Sequence, residues 1–287
     1  MLYKGRMTTL ALAQLSGPPD GGVENRGRSV RMAADAFERG ADLVVLPELI
    51  VPGYDLRADR VAAAAEPVDG DTVAAWTALA REAGGYVAGG FAERDGDAIY
   101  NTAVLVGPDG VIVHYRKLHL FSAERGVFTP GDLGLPVVAT PVGRIGLCVC
   151  YDLRFVETLR ILALEGAELV CVPTAWVSGF DTSRWDGDGY CSQARAALVQ
   201  ANLNQVYVAC ASQAGAQEDR EFLGSSILAD PFGACAAGPL PGDRDELVLV
   251  EVDLADATRA QDRGGGVRPR ADRRTDVYGL DVGGRRL

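Results

Sequence analysis

The chain has 287 residues, 48% of them hydrophobic, and sets 28 Lys and Arg against 39 Asp and Glu for a net charge of −11. That acidity opposes general binding to nucleic acid or to an anionic membrane surface, and no apolar run approaches the roughly 18 residues that span a bilayer. Length and composition suit a large α/β core, expected as one domain over residues 1–287.

Lys4 and Arg6 precede an apolar stretch that is short, lacks a convincing cleavage site and reads directly into a strand, so a cytoplasmic location is expected. Met7 is an alternative start that would make Met1–Arg6 a dispensable leader. Leu10–Leu15 reads as the first strand, and Val30, Ala33, Ala34 and Phe37 fall at helical spacing within 23–40, where Gly40 supplies a C-cap. Leu43–Leu46 is a buried strand. Asp71 is placed to cap a helix carrying Val73, Trp76, Leu79, Ala80 and Ala83, which Gly84-Gly85 ends before the strand Tyr86–Phe91. Ile99–Val106 and Val111–Tyr115 flank Gly107-Pro108-Asp109-Gly110 as a hairpin, and a second hairpin joins Val137–Thr140 to Ile145–Cys150. A helix Leu153–Leu164, a strand Leu169–Val172, a helix Gly189–Asn202 and strands at Val206–Ala211, Ser225–Leu228 and Leu247–Val252 complete the pattern. Helices alternate with strands while hairpins interrupt them, which predicts mixed sheets covered by helices. Residues 263–287, rich in Arg and Gly, read as an irregular C-terminal tail.

The six cysteines, at 148, 150, 171, 191, 210 and 235, include no C-x-x-C pair, and His114 and His119 are the only nitrogen ligands of their kind, so a zinc site has little material. Free thiols are expected, with Cys171 and Cys210 acting as small buried hydrophobes. Cys150 stands where an apolar strand stops and a helix is expected to start, so its thiol can face a cleft while backbone N–H groups favour its thiolate. Strand alternation points Cys148 to the same side, in a supporting place. A purely structural cysteine is the competing reading of Cys150. Glu48 ends the strand Leu43–Leu46 between apolar neighbours, a setting that raises a carboxyl toward a useful general base; a surface carboxylate is the alternative. Lys117 is a polar group set in an apolar run, able to hold a thiolate and then an oxyanion if buried, and uninformative if solvated.

Leu-Pro-Glu-Leu at 46–49, Tyr-Arg-Lys-Leu-His-Leu-Phe at 115–121, Gly-Leu-Cys-Val-Cys-Tyr-Asp-Leu-Arg-Phe at 146–155, Asn-Gln-Val-Tyr-Val-Ala at 204–209 and the closing Arg273–Tyr278 together resemble the nitrilase, or carbon–nitrogen hydrolase, superfamily over nearly the whole chain. The resemblance implies a four-layer αββα sandwich with Glu48 as general base, Cys150 as nucleophile and Lys117 with the Tyr151 N–H as oxyanion donors. Glu124, seven residues beyond Lys117, matches a second glutamate of the amidase and carbamoylase branches; a loop carboxylate paired with Arg125 is its rival reading. Tyr54 and Trp176 are taken with Tyr151 as substrate-binding residues. No metal or organic cofactor is implied. Val156 stands where many relatives have proline, and the segment 177–190 matches no substrate pattern.

The string Cys150-Tyr151-Asp152-Leu153-Arg154-Phe155 looks like the amidase branch, which implies hydrolysis of a small linear amide, with an N-carbamoyl hydrolase as runner-up and a nitrilase after it. A papain-like protease using His119 lacks that class's local cysteine signature, and a catalytically dead scaffold fits poorly with Glu48, Lys117, Glu124 and Cys150 all present. A homodimer or larger assembly is expected through the helices Leu153–Leu164 and 189–202, using Ile161, Leu164, Ala197 and Leu198.

Overall fold

The computed structural model describes residues 7–18, 21–180, 185–217 and 220–287, so the leader expected at Met1–Arg6 lies outside it. The chain runs β1 (Thr8–Gln14), α1 (Gly22–Glu38), β2 (Leu43–Val45), α2 (Ala58–Ala64), α3 (Asp71–Ala83), β3 (Tyr86–Asp95), β4 (Ala98–Gly107) and β5 (Gly110–Arg116). It continues through β6 (Val137–Thr140), β7 (Gly143–Leu147), α4 (Val156–Leu164), β8 (Leu169–Thr174), α5 (Ser192–Asn204) and β9 (Tyr207–Ser212). The hairpin β10 (Ala214–Gln217) and β11 (Arg220–Leu223) follows, then β12 (Ile227–Ala229), β13 (Cys235–Ala237), β14 (Glu246–Val252), α6 (Asp256–Arg259) and a last short hairpin, Asp281–Val282 with Arg285–Arg286.

Two six-stranded mixed sheets result, in the orders β14-β1-β2-β3-β4-β5 and β13-β12-β9-β8-β7-β6. Each has three parallel strands at its centre, β1-β2-β3 and β7-β8-β9, flanked by antiparallel partners. The parallel strands read as unbroken apolar runs because both faces are covered, as parallel pairing demands. Leu10, Leu12, Val45 and Ala88 of the first sheet join Leu147, Cys171 and Ala209 of the second in one core, which Leu159 and Leu162 of α4 and Ala197 and Ala201 of α5 extend on the far side of the second sheet. The opposite face of the first sheet packs Ala11, Val44, Val87 and Val104 against Ala33, Trp76 and Ala80 of α1 and α3. The layers are therefore helices, sheet, sheet, helices. Gly89 makes room for the Trp76 ring, since a Cβ there would lie 2.8 Å from it, and the Trp76 indole donates to Ser29 Oγ at 2.9 Å.

Several sequence expectations are corrected. Asp71 is the first residue of α3 rather than its cap, and the carboxylate that receives the first-turn N–H of Thr72, at 2.7 Å, belongs to Glu66. The helix expected from Leu153 is two pieces, a 3-10 turn over Cys150–Arg154 and then α4 from Val156. The next helix begins at Ser192, and its Arg195 is held by Asp186 and Asp188 of the loop that precedes it. Ala197 and Leu198, expected at a subunit interface, face the core, while Val199 and Leu203 are the exposed apolar residues of α5. The tail is largely irregular, but Arg270 is inserted between the ends of α4 and α5, donating to the carbonyls of Ala163, Asn204 and Gln205. All six cysteines are free.

Candidate active site

Glu48 lies just past the end of β2, where the chain continues parallel to β3 as far as the Val51–Phe91 bridge. Gly90 N–H donates to Pro47 O at 3.1 Å and Ile50 N–H to Gly90 O at 3.0 Å. The approach is so close that a Cβ on Gly90 would sit 2.7 Å from Glu48 Cα. The second sheet holds the same turn: Glu48 N–H donates to Thr174 O at 3.2 Å, and Gln213 Nε2 donates to Glu48 O at 2.8 Å. The carboxylate is fully buried, and its Oε1 accepts from Lys117 Nζ at 2.6 Å and Asn101 Nδ2 at 2.8 Å. Its Oε2 has no hydrogen-bond partner among the described residues.

Lys117 follows the last residue of β5, and its backbone N–H donates to Asn101 O at 2.8 Å. Its ammonium, 1% exposed, bridges Glu48 Oε1 and Glu124 Oε1, the latter at 2.9 Å, which removes the solvated alternative. Glu124 is equally buried and so does not pair with Arg125 as a loop carboxylate would; its Oε1 also accepts from Tyr54 OH at 2.6 Å and its Oε2 from Phe121 N–H at 3.0 Å. Four buried side chains, from Tyr54 through Glu124 and Lys117 to Glu48, thus form one continuous chain of charge-assisted hydrogen bonds.

Cys150 comes from the second sheet. Strand β7 ends at Leu147, so the alternation expected to put Cys148 and Cys150 on one side does not extend this far. Cys148 is fully buried in the core, while Cys150, with φ +44°, is turned into a cleft. Asp152 pins this turn: its Oδ2 accepts from Val149 N–H at 2.9 Å and Tyr115 OH at 2.6 Å. Its Oδ1 accepts from His119 N–H at 3.1 Å and lies 2.7 Å from His119 Nδ1. The imidazole therefore faces Asp152 and stacks on Phe155 at 3.6 Å between ring centroids, rather than serving Cys150 as a protease base would.

Burial raises the Glu48 carboxyl above the ordinary range, with Glu124 adding to the shift and Lys117 opposing it. Burial works against the Lys117 ammonium, but Glu124 and Glu48 outweigh it and hold the group charged. The Cys150 thiol is pushed well up by burial and by Glu48, against the pull of Lys117 and a hydrogen bond from the Ala175 backbone. The thiolate expected at a helix start is thus not favoured, first because burial penalises the charged form and then because Glu48 repels it. Proton transfer has to accompany the chemistry instead.

Beside Cys150 lies a cleft of about 340 Å³ lined by Tyr151, Leu153, Arg154, Trp176 and Gln193 among others. Glu48, Lys117, Glu124, Cys150, Tyr151, Tyr54 and Trp176 are therefore gathered at one end of the two sheets. Asn101, Asp152 and Gln213 were missed as site residues. Asn101-Thr102 is a polar interruption of the apolar run Ile99–Val106, and Gln213 closes the apolar run after Val206; both were signals of polar groups needing buried partners. Segment 177–190 is partly accounted for, since Val177 and Phe180 line the cleft; residues 181–184 lie outside the described ones. Among the described residues no group of three or more His, Cys, Asp or Glu could hold a metal ion, and no helix is long and apolar enough to cross a membrane.

The carbon-nitrogen hydrolase family model matches residues 9–262. A nitrilase of Pyrococcus abyssi is 35% identical over 233 residues, covering 80% of this chain and 84% of the relative. An (R)-stereoselective amidase of a Pseudomonas species is 34% identical over 248 residues, 85% of each chain. Among solved structures, a mutant of the amidase from Nesterenkonia sp. AN1, with the acetamide moiety of fluoroacetamide added covalently at its active-site cysteine, superposes with a TM-score of 0.78 at 27% identity, covering 96% of this chain and 97% of that one.

Proposed function

The chain belongs to the carbon–nitrogen hydrolase, or nitrilase, superfamily in its amidase-like branch, and from that premise we propose that it hydrolyses a small linear amide to the acid and ammonia through a thioester on Cys150. It is a hydrolase of non-peptide carbon–nitrogen bonds in amides. The observation that carries the finer reading is the buried Lys117 ammonium held between two carboxylates at the end of the sheets where Cys150 emerges.

The geometry supports the following roles. Cys150 Sγ attacks the carbonyl carbon while its proton passes to Glu48, whose Oε2 is the carboxylate oxygen with no bond already made. The carbonyl oxygen takes up the bonding electrons as an oxyanion, stabilised by Lys117 Nζ and the Tyr151 N–H. When the tetrahedral species collapses, the C–N bond breaks, Glu48 returns the proton to nitrogen, and ammonia leaves a thioester. Water then attacks that carbonyl with Glu48 again accepting a proton, which goes to the departing sulfur. Glu124 positions Lys117 and accepts from the amide NH₂. Tyr54 fixes Glu124, and Trp176 walls the acyl side.

The test combines a panel of primary amides, ureido acids and nitriles, assayed for ammonia, with intact-mass detection of an acyl adduct. Amide turnover with an adduct lost in Cys150→Ala is the expected result. Turnover of ureido acids or nitriles in preference to every amide would overturn the substrate class, and an adduct that survives Cys150→Ala would overturn the nucleophile.

A further inference from the structure

A second cleft, of about 460 Å³, lies beside the first and shares Phe121, Val177 and Phe180 with it. Phe121 and Phe180 meet edge to face at 4.6 Å between centroids, so a pair of rings forms the partition between the two spaces. The clefts touch different parts of the catalytic array. The first is walled by Cys150, Tyr151 and Trp176, where the acyl carbon and its substituent must sit. The second is walled by Tyr54, whose hydroxyl is bonded to Glu124, and Glu124 is joined through Lys117 to Glu48. Glu48 and Glu124 are the groups that face the nitrogen in the proposed reaction.

We propose that the second cleft is a leaving-group site, and that the enzyme accepts secondary amides whose nitrogen carries an aromatic or alkyl group. The inference rests on the amidase reading. A primary amide ends at its NH₂, and nothing in it reaches past Glu124. A substituent on nitrogen leaves the scissile bond on the Glu124 side, meets the Tyr54 ring and passes the Phe121–Phe180 edge. Leu56 and Val177 offer it apolar wall, and Ser122, Gln217, Arg220 and Glu221 supply the polar part of the lining. One N–H remains on such a substrate, so Glu124 keeps its acceptor role. The chemistry balances as before: the C–N bond breaks, Glu48 supplies the proton taken from Cys150, and a primary amine departs in place of ammonia.

Acetamide and propionamide, each paired with its N-benzyl derivative, give the test on the intact enzyme, with release of acid followed for all four and benzylamine quantified for the derivatives. The expected result is kcat/KM for the N-benzyl amides at no less than about one tenth of that for the primary amides. A lower ratio overturns the inference while leaving the amidase reading in place; no turnover of any amide, with no acyl adduct, overturns that reading itself. Leu56 and Ser178 both line the second cleft, so Leu56→Trp and Ser178→Trp, two independent ways of filling it, should each lower kcat/KM for the N-benzyl amides at least about tenfold more than for their primary partners. Equal effects on both substrates in both variants would show that the second cleft does not hold the leaving group.

Discussion

Leu49, Ser122 and Cys150 all have φ near +45°, a region that costs an L-residue roughly 1–2 kcal/mol, and they stand beside Glu48, near Glu124 and at the thiol itself. Each bend turns a polar side chain out of an apolar run into the space at the sheet ends, and the carboxylates of Glu124 and Asp152 secure two of the bends by reaching back to the N–H three residues earlier. Alanine at Cys150 or Lys117 should therefore lower kcat by at least about a thousandfold with the fold retained, since a nucleophile or an oxyanion donor is lost. Cys148→Ala should be far milder, and equal loss at both cysteines in steady-state assays would contradict the assignment. The pH dependence has a definite sign. Glu48 must be ionised to accept the thiol proton, and burial raises its carboxyl above the ordinary carboxylate range, so kcat/KM should fall as pH drops through a midpoint higher than that of a free glutamate. A pH–rate profile flat down to the ordinary carboxylate range would remove Glu48 as the base. Glu48, Lys117 and Cys150 were legible because each interrupts or ends an apolar run. Asp152 was quoted within a motif but given no role, because the partners that explain it, Tyr115 and His119, lie more than thirty residues away in sequence.

At the scale of elements, strands were readable from their apolar runs, and their exact ends were not. β3 continues to Asp95, past the expected Phe91, because Glu93 finds buried partners in Arg116 at 2.6 Å and Thr102 at 2.6 Å that no local pattern announces. Helix α2 and the hairpin β10–β11 were missed, the first for its brevity and the second because Ala214–Leu223 shows no apolar alternation. Gly90 is the element-level residue with most effect on the site. A methyl group there would press on the Glu48 backbone, so Gly90→Ala should lower kcat by about a hundredfold, the scale associated with misplacing a reacting group by an ångström. Gly89→Ala would strike Trp76 instead and should show mainly as a lower Tm. Thermal melts and kinetics on the two variants separate these effects, and an unchanged kcat in a folded Gly90→Ala would show that Glu48 tolerates the shift.

For the whole molecule, we propose a homodimer or larger assembly through the outer face of α4 and α5. Val156, Val199 and Leu203 are 57%, 55% and 49% exposed there, and they replace the core-facing Ala197 and Leu198 as the residues a second copy would cover. Light scattering at micromolar concentration should report at least a dimer, and Val199→Asp with Leu203→Asp should shift it toward monomer; a wild-type monomer would end the proposal. The division of the site between the sheets reaches beyond catalysis. Glu48 and Lys117 belong to the sheet whose edge strand β14 comes near the end of the chain, whereas Cys150 belongs to the other. On the ribosome, then, the base and the lysine emerge first, the thiol follows, and the strand that completes the first sheet is made about a hundred residues later. The array that Cys150 needs for its proton transfer is therefore expected to be complete only once β14 has been made and has closed the edge of the first sheet.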